Sequence, residues 1–200
     1  MFPFISGRAD LRAALDLLAE VRDALRRESV ALGPDLQVGV NLEVPSAALT
    51  ADLLAADVDF FSIGTNDLVQ YLLAADRVDP RVSAHYQPLH PAVLRVLRQV
   101  VQAAGQHGVP IAVCGEMAAD PLQALVLVGL GVRELSLTPV AIPRVKHAVR
   151  SVNEPQAREA ALGCLSLATA EEVEQALGHQ LVDALTPDED GPRPFAAVEE

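Results

Sequence analysis

Two carboxylates, Glu43 and Asp67, stand just beyond short apolar runs, Glu43 after "VGVNL" and Asp67 after "FFSIGTN". If those runs are neighbouring parallel strands, they lie about 4.8 Å apart and both side chains can reach one ion. Carboxylates converging in mostly apolar surroundings repel unless a cation sits between them. An all-oxygen pair suits Mg²⁺, which takes one or two carboxylates and completes its shell with water and substrate oxygens. A second reading has Asp67 N-capping a helix over 68–75, with Asn66 as ordinary loop polarity. Spacing leaves both open.

Other polar residues sit at similar points: Cys114 and Glu116 after "PIAV", and Thr138 after "ELSL". A lone strand cysteine usually packs as a small hydrophobe. Cys114, however, follows its apolar run and precedes a Gly and a Glu, so it is expected to face the open end of the strands, where packing and chemistry both remain open. Cys164, in "ALGCLSL", reads as packing. Arg77 closes "AADR", where by itself it reads as a surface arginine favoured by the helix dipole. His85 and His90 flank "YQPL", His107 and His179 lie near helix ends, and His147 is mid-helix. No pair of them has metal-ligand spacing on one face. "GLGVRE" leads into a strand rather than following one, so it reads as a helix C-cap and turn, not a phosphate loop.

The elements that position these residues alternate. Short apolar runs at 1–5, 37–44, 59–64, 110–116 and 134–139 are expected strands, continuous enough for burial on both faces of a parallel sheet. Helical spacing fills 9–28, 46–56, 66–75, 91–107, 120–130 and 141–152; in the first of these Leu11, Leu15, Leu18, Val21 and Leu25 share a face. The pattern predicts five βα units, with polar residues at the C-terminal ends of the strands, where α/β folds place their sites. An eight-stranded barrel would need three more. Two further helices are expected over 155–163 and 170–185, the latter with Thr169 and Glu172 spaced as a capping box. The acidic, Pro-containing segment 186–200 is expected to be disordered.

Composition narrows the function classes. Half of the 200 residues are hydrophobic, aromatics make up 4% and Trp is absent, so the core is expected to be Ala, Val and Leu. A net charge of −12 argues against nucleic acid and anionic membrane. No apolar run reaches the roughly 20 residues of a membrane span, no signal-type segment opens the chain, and two unrelated cysteines suggest a reducing cytoplasm.

"VGVNLEVPSAAL", "VDFFSIGTNDLVQYLLAADR", "HYQPLHPAVLR", "AVCGEMAADP" and "ELSLTPVAIPRVK" together resemble the phosphoenolpyruvate-utilising enzymes, most closely the C-terminal barrel of the enzyme I branch of the bacterial sugar phosphotransferase system. The resemblance runs from Met1 to about Val152 and weakly on to about Leu185. It implies the C-terminal part of a (β/α)₈ TIM barrel over 1–152, followed by C-terminal helices over 153–185. It also implies Glu43 and Asp67 as Mg²⁺ ligands, Asn66, Asp67 and Arg77 as substrate-binding residues, and Cys114 as the acid that protonates the enolate to give pyruvate. Glu116 receives no role.

By the same resemblance the partners would be phosphoenolpyruvate and the carrier protein HPr, reached through an N-terminal domain whose histidine accepts the phosphoryl group. A homodimer is implied for the whole protein. No histidine here matches that acceptor, the arginines of the first barrel strands are absent, and Asn41 replaces an apolar residue common in the family. The isolated chain is therefore expected to transfer little or no phosphoryl group. The other readings are a catalytically silent dimerisation or regulatory fragment, or part of a pyruvate phosphate dikinase or phosphoenolpyruvate synthase.

Overall fold

Four of the five apolar runs form strands, in a computed structural model that describes residues 1–185; the expected acidic tail lies outside the described residues. Strands β1 (Gly39–Leu42), β2 (Phe60–Gly64), β3 (Ile111–Cys114) and β4 (Glu134–Ser136) pair in chain order, each parallel to the next. Parallel neighbours need helical crossovers, and the helical segments supply them. The result is a mixed α/β fold around one four-stranded parallel sheet.

The first run departs from expectation. It makes a single bridge, Phe2 to Val40, in which the Phe2 N–H donates to Gly39 and Asn41 donates to Phe2, both at 2.8 Å. Pro3 has no N–H for a ladder. Phe4 then takes a left-handed φ of 53° and turns its own N–H onto the Glu43 carboxylate at 2.7 Å. A would-be strand becomes a strap over the end of β1.

The strands also alternate more than their sequence suggests. Val40, Leu42, Phe61, Ile63 and Val113 point to the helix-covered face and are fully buried. By the pairing register, Gly39, Asn41, Phe60, Ser62, Gly64, Ala112, Cys114, Glu134 and Ser136 occupy the other face, where Glu134 and Ser136 are exposed. Burial on both faces, expected from the continuous runs, holds at β1 and β2, where Gly39, Ser62 and Gly64 are also buried, and is lost toward β4. Apart from Phe60, whose ring lies over Gly39, the second face is built from small and polar residues.

On the covered face, α5 (Pro91–His107) buries Val93, Leu94, Leu97 and Val100, the stripe its spacing predicts. Helix α7 (Pro121–Leu130) is buried on nearly all sides and packs on α9 (Glu154–Cys164). At Gly129 a Cβ would lie 2.0 Å from the Ala157 carbonyl oxygen, so glycine is what lets the two helices touch. Cys164 is buried there, and burial pushes its thiol pKa up, as a packing cysteine requires.

Several boundaries shift. The segment 46–56 breaks into α2 (Pro45–Leu49), α3 (Ala51–Leu54) and a 3₁₀ turn over Ala55–Asp57. Helix α8 spans Ile142–Ser151. At α10 (Ala170–Leu185) Thr169 accepts the Glu172 N–H at 3.1 Å, but the Glu172 carboxylate reaches Ala168 rather than closing a capping box on Thr169. In α1 (Arg8–Arg27) Leu11 is buried, whereas Val21, on the same predicted stripe, is 46% exposed. No described helix is long and apolar enough to cross a membrane.

Candidate active site

The sheet brings the chemistry-bearing residues to one edge. Glu43 follows β1 directly, and α4 (Thr65–Leu73) starts without a loop after β2, which puts Asn66 and Asp67 in its first turn. Cys114 is the last residue of β3, and after Gly115 the short helix α6 (Glu116–Ala119) begins. A cleft of about 400 Å³ opens here, lined by Asn66, Cys114, Gly115, Glu116 and Ala119, and by Ser136, Leu137 and Thr138 from the end of β4.

Glu43 is a buried carboxylate, 4% exposed. Burying such a group is costly unless it is hydrogen-bonded, and both oxygens are served: Oε1 accepts the Phe4 N–H, and Oε2 accepts the Asn41 amide. Its side chain lies over Gly64, where a Cβ would stand 2.9 Å from Oε2. Each oxygen keeps a further lone pair.

Asp67 does not cap a helix, which removes the second reading of its position. The helix begins at Thr65 with Gly64 as its N-cap, so Asp67 sits inside the first turn, where a negative charge suits the dipole. Its carboxylate makes no hydrogen bond or ion pair among the described residues. Glu43, buried and orientated, and Asp67, uncommitted, are the two carboxylates at neighbouring strand ends whose chemistry would suit a hard divalent cation. Among the described residues no three His, Cys, Asp or Glu side chains gather as a metal cluster. Two carboxylates completed by water and substrate oxygens are what Mg²⁺ ordinarily accepts.

Asn66 and Thr65 tie α4 to the end of β3. The buried Thr65 hydroxyl donates to the Cys114 carbonyl at 2.9 Å, and the Asn66 Oδ1 accepts the Glu116 N–H at 2.9 Å. With its oxygen committed, the Asn66 amide has its NH₂ left to donate to an anion. Cys114 is half-buried among oxygen groups. Its Sγ accepts from the Ser62 hydroxyl at 3.4 Å and can donate to the Ile63 carbonyl at 3.5 Å or to the Asn41 Oδ1 at 3.8 Å.

Arg77 stands past the end of its helix rather than in it. Ala74 takes a left-handed φ of 51° and stops α4 at Leu73, and the loop then carries the Arg77 guanidinium to Glu116 Oε1 at 2.7 Å. Tyr86 joins the group although its loop position carries no strand-end signal. Burial pushes its hydroxyl pKa up; Glu116 adds to the rise, Arg77 opposes it, and Asp67 raises it further. His90 is not a site residue, since its Nδ1 caps α5 by accepting the Ala92 N–H at 3.1 Å.

Asn66, Cys114 and Glu116 thus line one cleft, with Arg77 paired to Glu116, while Glu43 joins through Asn41 to the Cys114 thiol. Ser62, Thr65 and Tyr86 are the members that sequence reasoning missed. For Ser62 the signal existed: its hydroxyl interrupts an apolar strand two residues before Gly64.

The family model for the phosphoenolpyruvate-binding domain of PEP-utilising enzymes matches residues 1–154, and the chain belongs to that family. It is 43% identical over 173 residues to the phosphoenolpyruvate-protein phosphotransferase of Staphylococcus carnosus (strain TM300), a match covering 86% of this chain and 30% of that protein. Its counterpart from Haemophilus influenzae is 40% identical over 183 residues, covering 92% of this chain and 32% of the relative. That of Bacillus subtilis (strain 168) is 40% identical over 173 residues. The chain spans about 30% of the length of the curated relatives it matches.

Proposed function

We propose that the chain forms the phosphoenolpyruvate site of a phosphoenolpyruvate-protein phosphotransferase, as part of a (β/α)₈ barrel in a cytoplasmic enzyme that passes the phosphoryl group through a histidine to HPr for sugar uptake. Support comes chiefly from one observation: the Cys114 thiol, the Asn66 amide and the Arg77–Glu116 pair meet at the C-terminal ends of parallel strands in a chain of this family. The relatives' names favour a protein as acceptor over a dikinase or synthase reaction. A homodimer is part of the same reading.

In this reading Glu43 and Asp67 hold Mg²⁺, which when bound neutralises charge on the transferring phosphoryl group. Asn66 donates its NH₂ to the phosphate, and Arg77 offers the paired N–H groups that suit phosphate or carboxylate. The bond between phosphorus and the C2 oxygen of phosphoenolpyruvate breaks, and the phosphoryl group leaves for its acceptor. The remaining enolate takes the Cys114 proton on C3 and becomes pyruvate. The thiolate regains a proton from water. Ser62, donating to the sulfur, steadies it while it is charged.

The test places residues 1–185 in the corresponding segment of the Staphylococcus carnosus relative and measures phosphoryl transfer to HPr. Transfer is expected to require Mg²⁺ and to fall at least about tenfold in Asp67→Ala, which loses one of two protein ligands. Unchanged Mg²⁺-dependent transfer in that variant would refute the metal assignment. A folded chimera that neither binds phosphoenolpyruvate nor transfers overturns the reading as a whole. The 200-residue chain alone is expected to transfer little or nothing.

A further inference from the structure

Glu116 is the cleft residue that the reaction leaves without a task, yet both proposed anion-binding side chains converge on it. Its backbone N–H holds the Asn66 oxygen at 2.9 Å, and its carboxylate holds the Arg77 guanidinium at 2.7 Å. The two contacts differ in kind. The first uses main chain and persists whatever side chain stands at 116. The second uses a carboxylate that is 69% exposed on the cleft wall, against 35% for Arg77.

We infer that Glu116 is a placeholder: its carboxylate holds Nη1 of the guanidinium that the substrate anion requires, so phosphoenolpyruvate competes with it and affinity is lowered by that competition. The inference rests on the reading of Arg77 as a substrate-binding residue. The physical basis is competition for one fork of donors. A guanidinium binds a carboxylate and a phosphate oxygen through the same kind of N–H group; Glu116 takes one of the five on Arg77, at Nη1, and its charge repels a second anion brought to that fork, so the two compete. An exposed ion pair is weak enough to be broken by a ligand, which makes the placeholder a modest tax on affinity and no block. Without an anion in the cleft, it keeps Arg77 folded back against the site instead of loose in solvent, since Arg77 lies in a loop beyond the last turn of α4.

The prediction can be checked on the full 200-residue chain with Mg²⁺, without phosphoryl transfer. Phenylglyoxal modification of Arg77 is followed by peptide mass mapping, with phosphoenolpyruvate as protectant. Glu116→Gln keeps the length of the side chain and the N–H that orients Asn66, and it removes the competing charge. Arg77 should then be modified faster, and the phosphoenolpyruvate concentration giving half-protection should fall roughly two- to fivefold, the range an exposed ion pair can command. A change that merely damaged the site would weaken protection, so a gain distinguishes exchange from structural support.

Glu134→Gln, which removes an exposed carboxylate elsewhere, controls for net charge and should leave half-protection where it was. Equal tightening in both variants, an unchanged modification rate in Glu116→Gln, or unimproved protection in Glu116→Gln each overturns the inference while leaving the reading of Arg77 intact. Phosphoenolpyruvate that protects Arg77 in no variant overturns that reading, and the inference with it.

Discussion

Replacing Cys114 with alanine is expected to lower the rate of pyruvate formation by the chimeric enzyme about 10²- to 10⁴-fold, the usual worth of a positioned proton donor. The affinity for phosphoenolpyruvate should hardly change. The thiol is bonded to Ser62, Ile63 and Asn41 of its own chain and provides no charge to anchor an anion. Loss of phosphate from phosphoenolpyruvate leaves an enolate that must gain a proton on carbon, and without the thiol that proton has to come from water admitted to the cleft. Cys114→Ser keeps a donor of similar shape but a much weaker acid, so it should recover little of the rate. Stability should fall by no more than about 1 kcal/mol, because a single half-buried sulfur is lost from a position near the surface. Iodoacetamide inactivation at neutral pH should map to Cys114 and spare Cys164, whose thiol burial holds protonated. A Cys114→Ala enzyme with wild-type kcat would remove the proton-donor assignment.

The strand ends were legible because one local rule governs them. An apolar run has to be buried, a parallel sheet has to be crossed by helices, and polar residues at the end of such a run must then face the open edge. That logic puts Glu43, Asn66, Asp67 and Cys114 at strand ends, where the fold has them. It failed where the deciding contact was remote. The first run has strand composition, yet Pro3 removes a donor and the Phe4 N–H is taken by Glu43, thirty-nine positions away in the chain.

Arg77 shows the same limit. As part of "AADR" it looks like a helix-end arginine. Its true setting depends on Ala74 adopting a left-handed conformation, which an alanine does not advertise, and on Glu116 waiting across the cleft. Tyr86 carries no such signal, because its partial burial against the core comes from tertiary packing. The face of the sheet bearing Asn41, Ser62 and Cys114 was misjudged for a different reason. Gly64 is small enough to read as part of an apolar run, while in the fold it leaves room for the Asn41 and Glu43 side chains beside it.

Gly115→Ala is expected to cause the second large loss, and it joins backbone to chemistry. Gly115 has a φ of 115°, in a region that side chains with a Cβ rarely enter. An added Cβ would stand 2.5 Å from the Thr65 hydroxyl and 2.7 Å from Asn66 Oδ1, closer than real contacts allow. Neither neighbour can yield freely, since Thr65 is fully buried and bonded to the Cys114 carbonyl, and Asn66 holds the Glu116 N–H. Strain and overpacking together should cost about 2–4 kcal/mol, lowering the melting temperature by roughly 5–15 °C for a chain of this size. Transfer should fall by about 10² or more even where the protein remains folded, because the bonds that orient Asn66 and the end of β3 are the ones displaced. Gly163→Ala provides the control. A Cβ there meets nothing within 4 Å in α9, and alanine in an exposed helical position should stabilise by up to about 1 kcal/mol with no effect on transfer. If Gly115→Ala melts and transfers like the parent, the close packing of β3 against the first turn of α4 is not what organises the site.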